Sequence, residues 1–400
     1  MLQSDRLIIV ALLLFVASAH PVSAQAADWT HHAPLPAPSG RFPVGVTTVR
    51  LIDSSRQTSR HVPIRPLTVQ VWYPAKGTPQ RTHSPYLTES GLLDSMMVRK
   101  YLDLDPQEMR GWADIQVAAV PYARPETPSR SQGWPVLLLS HGLGFARANY
   151  SALSQELASN GYIVLTLDHP LGGFTLGADG EVLARGVDSI PLHYADHPYV
   201  SAVRDWAIDA AFVLRGLAAR LRQGSSPLAA LVIDTARVGM LGHSLGGAAA
   251  LEACRSNLLF RACADMDGGP FGDVESRGVG KPFLVLLSQP DHRNRPPPRD
   301  SAEAAAREQF AQMGKERDST WAAICAHDAR EPCFVVKIRG TGHLSFSDAP
   351  FLAPSLLRDV GATLSPRRQY RLIADNLLEF FGHFLRGNAL RLRPGLASVP

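Results

Sequence analysis

The chain has 400 residues, of which 45% are hydrophobic and 19% are charged, a composition typical of a globular protein. Its 40 basic and 36 acidic residues give a net charge of +4, which is too balanced for a protein that binds nucleic acid through a basic surface. The length allows one large α/β domain or two smaller ones. Composition does not break after residue 45, so we expect one domain.

The N-terminus has the features of a secretory signal peptide. Arg6 lies in a short polar start, residues 7–19 form an apolar core, and small residues near positions 24–26 suit cleavage. The core is too short to span a membrane as a helix. We therefore expect residues 1–26 to be removed on export, to the periplasm or the medium. Residues 27–45, rich in Ala, Pro and His, are expected to form an extended arm.

The first regular elements predict an antiparallel hairpin. Two alternating apolar runs, residues 46–51 and 67–73, are joined by the polar stretch 53–60. Pro74 is expected to end the second strand. Residues 75–133 lack a regular pattern and predict loops and a short helix over one sheet edge.

From there on, apolar runs alternate with helical patterns. The alternation is typical of βαβ units in a parallel sheet. Strands are predicted at residues 135–140, 162–167, 262–266, 282–287 and 334–338, and helices at 150–159, 201–222, 301–314 and 371–385. Residues 171–200 interrupt the rhythm, and Asp179-Gly180 indicates a small hairpin there. Because this insertion follows a central strand, we expect it to form a small cap over the site.

The four cysteines of an exported chain suggest two disulfides. Three pairings are possible, and we favour the pairs nearest in sequence, Cys254–Cys263 and Cys325–Cys333. Four free buried thiols are the alternative. The cysteine spacing does not suggest a zinc cluster.

Residues 242–246 have the sequence Gly-His-Ser-Leu-Gly, a Gly-x-Ser-x-Gly motif. An apolar run precedes it and an alanine-rich segment follows, which predicts the strand, tight turn and helix of a nucleophile elbow. The turn strains the backbone of Ser244 and places it beside a helix N-terminus, whose free N–H groups can bind an oxyanion. The alternative is a glycine-rich turn whose serine only caps the helix. We expect Ser244 to be the nucleophile.

A serine nucleophile needs a base, and the base needs an orienting carboxylate. In this kind of fold the chain order is Ser, then acid, then His, each after a strand. His343 follows the last predicted strand in a glycine-rich loop, so it is the candidate base. Asp267 and Asp291 each follow one of the next two strands after the elbow helix, and the pattern alone does not separate them.

The oxyanion hole needs two backbone donors. The N–H of Leu245, directly after the nucleophile, is one candidate, and the N–H of Leu143, in the loop after strand 135–140, is the other. His141 in the same loop is interpreted as a residue that braces the loop rather than as a second base.

Several segments make the chain resemble a bacterial member of the platelet-activating factor acetylhydrolase family, plasma or isoform II type, within the α/β-hydrolase superfamily. They lie at residues 71–75, 140–144, 157–164, 242–248, 260–261 and 266–267, and at His343 with Phe346 and Asp348. The resemblance implies an α/β-hydrolase domain over residues 46–390, followed by a tail at 391–400. Its sheet is expected to be mostly parallel with an antiparallel N-terminal hairpin and helices on both faces. The family's acid follows the strand after the elbow helix, which implies Asp267 rather than Asp291.

The resemblance implies an exported serine esterase that uses no cofactor and no metal. It would hydrolyse short-acyl carboxylic esters, in the manner of a 1-alkyl-2-acetylglycerophosphocholine esterase. The expected partner is a small-molecule or lipid ester, and the mild positive charge is compatible with transient contact with a membrane surface. A cutinase or polyester-type hydrolase, a dienelactone-hydrolase-like enzyme and a non-catalytic binding protein are the alternatives. Departures from the family pattern at residues 75–133, 171–200 and 289–300 leave the substrate open.

Overall fold

The structure is a computed structural model. It describes residues 35–59, 62–77, 83–86, 115–129, 132–170, 172–176, 182–184, 198–224, 228–291, 298, 300–327, 331–352, 362–392 and 395–399. The predicted signal peptide, most of the extended arm and residues 185–197 of the expected cap therefore lie outside the described residues. Within these ranges, none of the helices combines the length and the apolar character needed to cross a bilayer.

Strands and helices alternate along most of the described chain. The strands are β1 (Val44–Asp53), β2 (Arg65–Pro74), β3 (Ser84–Pro85), β4 (Gln116–Val117), β5 (Val120–Pro121), β6 (Trp134–Ser140), β7 (Ile163–Leu167), β8 (Phe174–Leu176), β9 (Val182–Ala184), β10 (Ile233–His243), β11 (Ala262–Met266), β12 (Phe283–Gln289), β13 (Cys333–Arg339) and β14 (Gly395–Val399). The helices are α1 (Ser151–Ser159), α2 (Pro198–Arg222), α3 (Leu245–Ser256), α4 (Val274–Arg277), α5 (Ser301–His327), α6 (Ala349–Leu352) and α7 (Pro366–Arg386).

Ten strands form one sheet in the order β14, β13, β12, β11, β10, β6, β7, β2, β1, β5. Strand β2 pairs antiparallel with β1 and β7, while the other neighbours in this sheet are parallel. The carboxyl ends of the parallel strands therefore meet at one edge, which is where a ligand site is expected in such sheets.

The core lies on both faces of this sheet because its central strands are buried on both sides. Val136 and Leu138 of β6 belong to the apolar cluster under α2, α3 and α5, whereas Leu137 and Leu139 belong to the cluster under α1 and α7. This alternation follows the two-residue period of a strand. The predicted α/β-hydrolase fold, with its antiparallel hairpin, is confirmed.

Helix α5 differs from the prediction, which ended it at residue 314; the structure continues it to residue 327. A glycine inside a helix costs only about 1 kcal/mol relative to alanine, and burial offsets that cost here. Trp321 and Ile324 on the additional turns are buried in the core. The predicted end was therefore wrong because tertiary packing overrides the weak glycine signal.

Both favoured disulfides are present, Cys254–Cys263 and Cys325–Cys333. The first joins α3 to β11, and the second joins the end of α5 to β13. The small hairpin predicted in the insertion forms between β8 and β9, although its turn lies outside the described residues. The C-terminal segment, expected only as a tail, contributes the edge strand β14.

Candidate active site

Ser244 lies between the last residue of β10 and the first residue of α3. Its backbone has φ 55° and ψ −123°, a strained conformation for a residue with a side chain. A Cβ on Gly242 would lie 2.1 Å from the carbonyl oxygen of Gly246, so the turn closes only with glycine there. Gly246 in turn packs against the carbonyl of His141 at the end of β6. The local geometry is that of the predicted elbow.

The structure brings His343 and Asp267 into direct contact. Asp267 follows β11 directly, and His343 opens the short 3₁₀ turn that follows β13. The Nδ1 of His343 lies 2.8 Å from Oδ2 of Asp267. Asp291, the alternative acid, lies two residues beyond the end of β12. The carboxylate hydrogen-bonded to His343 is therefore the one that the family resemblance favours.

The Asp267 carboxylate is buried and surrounded by donors. Besides His343, it accepts hydrogen bonds from the backbone N–H of Ser288 at 2.7 Å, the Ser288 hydroxyl at 2.8 Å and the Arg317 guanidinium at 3.2 Å. Burial acts to raise the pKa of Asp267, but the hydrogen bond from His343 and the charge of Arg317 outweigh it and hold this pKa below its usual range. Asp267 is therefore ionised at neutral pH.

Sequence reasoning missed Arg317. It lies on the turns of α5 beyond residue 314, and its Nη2 also donates to the carbonyl of Ser288 at 3.2 Å. A prediction that extended this helix by three turns would have placed Arg317 near the sheet edge. The sequence still carries no spacing signal that connects this arginine to Asp267.

Sequence reasoning also left the role of His243 open, although this residue stands inside the Gly-x-Ser-x-Gly motif. Its Nε2 lies 2.9 Å from the carbonyl oxygen of His343, and its Nδ1 lies 2.8 Å from the Tyr150 hydroxyl. The Tyr150 hydroxyl accepts the N–H of Gly142 at 2.9 Å, so its own proton goes to Nδ1, and the Nε2–H of His243 donates to the His343 carbonyl. Burial and the neighbouring His343 lower the pKa of His243 well below its usual range, so this ring is neutral.

The loop 141–144 runs beside Ser244. A Cβ on Gly142 would lie 3.3 Å from the Cβ of Ser244. Among the described residues, no acceptor is bonded to the N–H of Leu143 or of Leu245. Two unused backbone donors beside a strained serine form an arrangement that can bind an oxyanion.

Apolar side chains surround this edge of the sheet. Leu143 and Leu245 pack in one cluster with Phe271 and, from α2, with Val203 and Trp206. A second small cluster contains Leu344, directly after His343, with Phe145 packed against it. In the ranges that the structure describes, no group of three or more His, Cys, Asp or Glu side chains could hold a metal ion. The polar groups that the structure places at this edge are a hydroxyl, an imidazole, a carboxylate and backbone N–H donors.

Comparisons with known proteins agree with this architecture. The family described as platelet-activating factor acetylhydrolase, isoform II, matches residues 28–170 and 230–381, which is more than half of the chain. A probable 1-alkyl-2-acetylglycerophosphocholine esterase of Arthroderma benhamiae is 28% identical over 257 residues, which cover 62% of each protein. The platelet-activating factor acetylhydrolase of Gallus gallus is 26% identical over 190 residues, 39% of this chain and 44% of the relative.

A ferulic acid esterase from Streptomyces cinnamoneus has a similar solved structure. It is 26% identical in sequence, with a TM-score of 0.66, and the match covers 91% of this chain and 97% of that one. The matches to the two curated relatives span less than two thirds of those relatives' length. From the extent of the family match, the chain belongs to the platelet-activating factor acetylhydrolase, isoform II, family.

Proposed function

We propose that the protein is a serine esterase that hydrolyses short-acyl carboxylic esters through an acyl-enzyme. Ser244 is the nucleophile, His343 is the general base and then the general acid, and Asp267 orients His343. The observation that carries the proposal is the 2.8 Å hydrogen bond between His343 and an ionised, buried Asp267, at the sheet edge that also carries the strained Ser244.

The hydrogen bond to Asp267 fixes the tautomer of His343, the proposed base. An ionised carboxylate accepts the Nδ1–H of His343, which leaves the lone pair of Nε2 for the Ser244 proton. When His343 becomes an imidazolium, the negative charge of Asp267 stabilises it. Arg317 offsets part of that charge, while the two Ser288 donors hold the carboxylate in place.

Acylation follows from this arrangement. Ser244 Oγ attacks the ester carbonyl carbon, and its proton passes to Nε2 of His343. The carbonyl oxygen becomes an oxyanion that accepts hydrogen bonds from the backbone N–H groups of Leu143 and Leu245. The tetrahedral intermediate collapses, the C–O bond to the alcohol breaks, and the imidazolium gives its proton to the leaving alkoxide. Ser244 then carries the acyl group.

Deacylation repeats the steps with water. His343 takes a proton from the water, whose oxygen attacks the acyl carbon. The second tetrahedral intermediate releases the carboxylic acid, and the imidazolium returns the proton to Ser244. No cofactor or metal enters either half of the reaction.

The substrate class is inferred from the relatives and the site. The relatives are named for esters with small acyl groups on a phospholipid or for a ferulic acid ester. Apolar side chains beside both proposed oxyanion donors suit the apolar part of such an ester. We favour acetyl and other short-chain esters, including acetylated phospholipids. A phospholipid substrate would bring the enzyme into transient contact with a membrane surface.

Export to the periplasm or the medium is part of the same proposal. The signal-peptide features of residues 1–26 and the two disulfides both fit an oxidising compartment. We propose that the mature chain is a single catalytic domain over residues 46–390 with a cap insertion at 171–200.

The proposal is tested with the mature protein on p-nitrophenyl acetate. Ser244→Ala should lower kcat by a factor on the order of 10⁶, as in other serine hydrolases whose nucleophile is removed. A loss of less than about tenfold would contradict the assignment, since the oxyanion hole and binding alone leave far less activity than that.

A substrate panel then separates the ester classes. It contains p-nitrophenyl acetate, butyrate and octanoate, a 1-alkyl-2-acetyl-glycerophosphocholine, methyl ferulate and a polyester film. The proposal expects the highest kcat/KM on acetyl esters. Higher kcat/KM on methyl ferulate would move the protein to feruloyl esterases, and release of soluble products mainly from the film would favour a cutinase-type enzyme.

A further inference from the structure

In the loop that carries the proposed oxyanion donor Leu143, both the N–H and the carbonyl of Gly142 are hydrogen-bonded. The N–H of Gly142 donates to the Tyr150 hydroxyl at 2.9 Å. The carbonyl of Gly142 accepts hydrogen bonds from Nδ1–H of His141 at 2.7 Å and from the N–H of Phe145 at 3.1 Å. No cis peptide bond occurs among the described residues, and in a trans peptide the C=O and the following N–H point in opposite directions. Whatever holds the Gly142 carbonyl therefore also directs the N–H of Leu143.

His141 is itself fixed in one tautomer. Its Nε2 accepts the backbone N–H of His169 at 3.1 Å, so the ring proton is on Nδ1, facing Gly142. The ring is fully buried and packs against Trp206 with 5.1 Å between ring centres. Burial lowers the pKa of His141, which keeps Nε2 free to accept. Rotating this ring would lose two hydrogen bonds in a place that water does not reach.

His169 is the next member of the network. Its Nε2 lies 2.8 Å from the Ser140 hydroxyl, and its Nδ1 lies 2.9 Å from Oδ2 of Asp209. The ring stacks on Trp206 with 4.2 Å between centres and 1° between planes. Burial lowers the pKa of His169 to about 4, so at neutral pH it donates only through Nδ1 and accepts the Ser140 proton at Nε2.

The anchor of the network is Asp209 on α2. Arg65 of β2 binds both of its oxygens, at 2.6 and 2.7 Å, and Arg56 binds one of them at 2.6 Å. A doubly paired, buried carboxylate with good geometry has little freedom to move. The network thus connects the hairpin and α2 to the loop beside Ser244.

We propose that His141 and Tyr150 are positioning residues for the oxyanion hole. His141 holds the carbonyl of the Gly142–Leu143 peptide, and Tyr150 holds the N–H of the preceding His141–Gly142 peptide, so that the Leu143 N–H is turned toward Ser244. The buried Ser140–His169–Asp209 network holds His141 through the backbone N–H of His169. Without these contacts the peptide can rotate and present a carbonyl oxygen where the oxyanion forms, which repels it. The inference rests on the proposed function, since it concerns the oxyanion donor of that site.

The test compares His141→Leu, His141→Asn and Tyr150→Phe with a control, Tyr73→Phe. Tyr73 is also a buried tyrosine whose hydroxyl donates to a backbone carbonyl, that of Ala123 at 2.8 Å. We expect His141→Leu to lower kcat on p-nitrophenyl acetate by about 10²-fold, the size of a lost oxyanion donor, with KM within about threefold of wild type. The asparagine amide can still donate to Gly142, so His141→Asn should recover to within about tenfold of wild type.

A second measurement separates positioning from general loosening of the fold. A trifluoromethyl ketone forms a tetrahedral adduct with a serine nucleophile, and the adduct carries an oxyanion. Its inhibition constant should rise by the same factor by which kcat/KM falls in His141→Leu and Tyr150→Phe. Tyr73→Phe should change neither constant, even where its urea unfolding midpoint falls. Because Tyr150 also contacts His243, the His141 variants are the more specific of the two.

The outcomes are distinct. If Ser244→Ala is inactive while His141→Leu and Tyr150→Phe both keep kcat within about threefold of wild type, the inference is wrong and the proposed function stands. A fall in kcat with an unchanged inhibition constant for the ketone would also overturn it. If Ser244→Ala stays active, the proposed function fails and the inference fails with it. Should His141→Leu not fold, His141→Asn and Tyr150→Phe decide by the same two measurements.

Discussion

Among the described residues, two groups of a serine, a histidine and an aspartate can be compared. In one group the histidine is hydrogen-bonded to both the serine and the aspartate; in the other His343 and Asp267 are hydrogen-bonded and Ser244 lies at the same sheet edge. In the buried set, His169 connects Ser140 at 2.8 Å and Asp209 at 2.9 Å, and none of the three side chains is exposed to solvent. By distances alone this set has the geometry of a catalytic triad. The described residues bury all three side chains, and Ser140 is the last residue of the regular strand β6.

The set at the sheet edge differs in three respects. His343 is 22% exposed, whereas His169 is fully buried. Ser244 has a positive φ, which lifts its side chain out of the sheet edge. Asp267 is paired with one arginine, whereas Asp209 is paired with two. A hydrogen-bonded chain of Ser, His and Asp therefore does not by itself mark an active site. Solvent exposure of the histidine and backbone strain at the serine distinguish the set at the sheet edge from the buried set.

The largest expected difference comes from the same substitution in both sets. Asp267→Asn should lower kcat by about 10⁴-fold, because an amide that donates to Nδ1 stabilises the wrong tautomer of His343. Asp209→Asn should keep kcat per folded molecule within about tenfold of wild type, since it acts only through the oxyanion loop. Steady-state kinetics on p-nitrophenyl acetate check both, with Asp291→Asn as the matched control. Equal losses for Asp267→Asn and Asp291→Asn would contradict the choice of acid.

Stability should show the opposite order. Asp209→Asn leaves Arg65, which is only 5% exposed, without its charged partner, and breaking a buried pair in this way costs about 3–5 kcal/mol. Asp267→Asn should cost less, because Arg317 is 22% exposed and can be solvated. Urea unfolding at pH 7 measures both free energies. A larger loss of unfolding free energy for Asp267→Asn than for Asp209→Asn would mean that the buried set does not contribute more to stability than the set at the sheet edge.

The pH dependence of stability tests whether His169 is neutral. Its folded pKa of about 4 lies below the ordinary value of 6.5, so the unfolded chain binds the additional proton between these values. The stability contributed by His169 is therefore present above pH 6.5 and is lost as pH falls toward 4, at up to about 1.4 kcal/mol per pH unit.

The measurement is urea unfolding of wild type and His169→Gln at several pH values between 4 and 7. The wild type should be more stable at pH 7, and its advantage should shrink as pH falls. Taking the difference between the two proteins removes the contributions of the other buried groups, such as His141 and Asp348, whose pKa values are shifted in opposite directions. An advantage that stays constant or grows on acidification would show that His169 is charged in the folded state.

The smallest expected effect concerns Arg317. Its positive charge lies 3.2 Å from the Asp267 carboxylate and helps to hold the pKa of Asp267 below its usual range. Arg317→Gln should therefore raise the pKa of Asp267, but the His343 and Ser288 donors keep the carboxylate ionised at pH 7, so kcat on p-nitrophenyl acetate at pH 7 should fall by less than about tenfold. Lys315→Gln, two residues away on the same helix, is the control for loss of charge. A loss of more than about tenfold for Arg317→Gln, or an equal loss for Lys315→Gln, would contradict this role.

Local patterns were enough to predict most strands and helices. The continuous apolar runs of the parallel strands, the alternation of the hairpin and the glycines around Ser244 each reflect constraints within a few neighbouring residues. The end of α5 was missed because Gly314 resembles a stop, whereas burial of Trp321 and Ile324 decides that the helix continues. Arg317 was missed with it.

Contacts between distant segments had no local signal. Arg65, Ser140 and Asp209 lie on three different elements and His169 lies in the loop after β7, and nothing in their spacing indicates that they form one network. His243 was visible inside the motif, but its bond to the His343 carbonyl depends on how the loop after β13 folds back over β10.

The sequence by itself determined the order of strands and helices, the elbow at Ser244 and the family, because each depends on residue type and spacing along the chain. It favoured the two disulfide pairs that the structure contains, but left other pairings open. The family resemblance favoured Asp267 over Asp291, but only the tertiary structure shows that Asp267 is the carboxylate bonded to His343, that Arg317 reaches it, and that a second Ser, His and Asp are buried in the core. Those outcomes depend on which strand ends meet at one edge and on which side chains lose contact with water, and both are properties of the packed sheet.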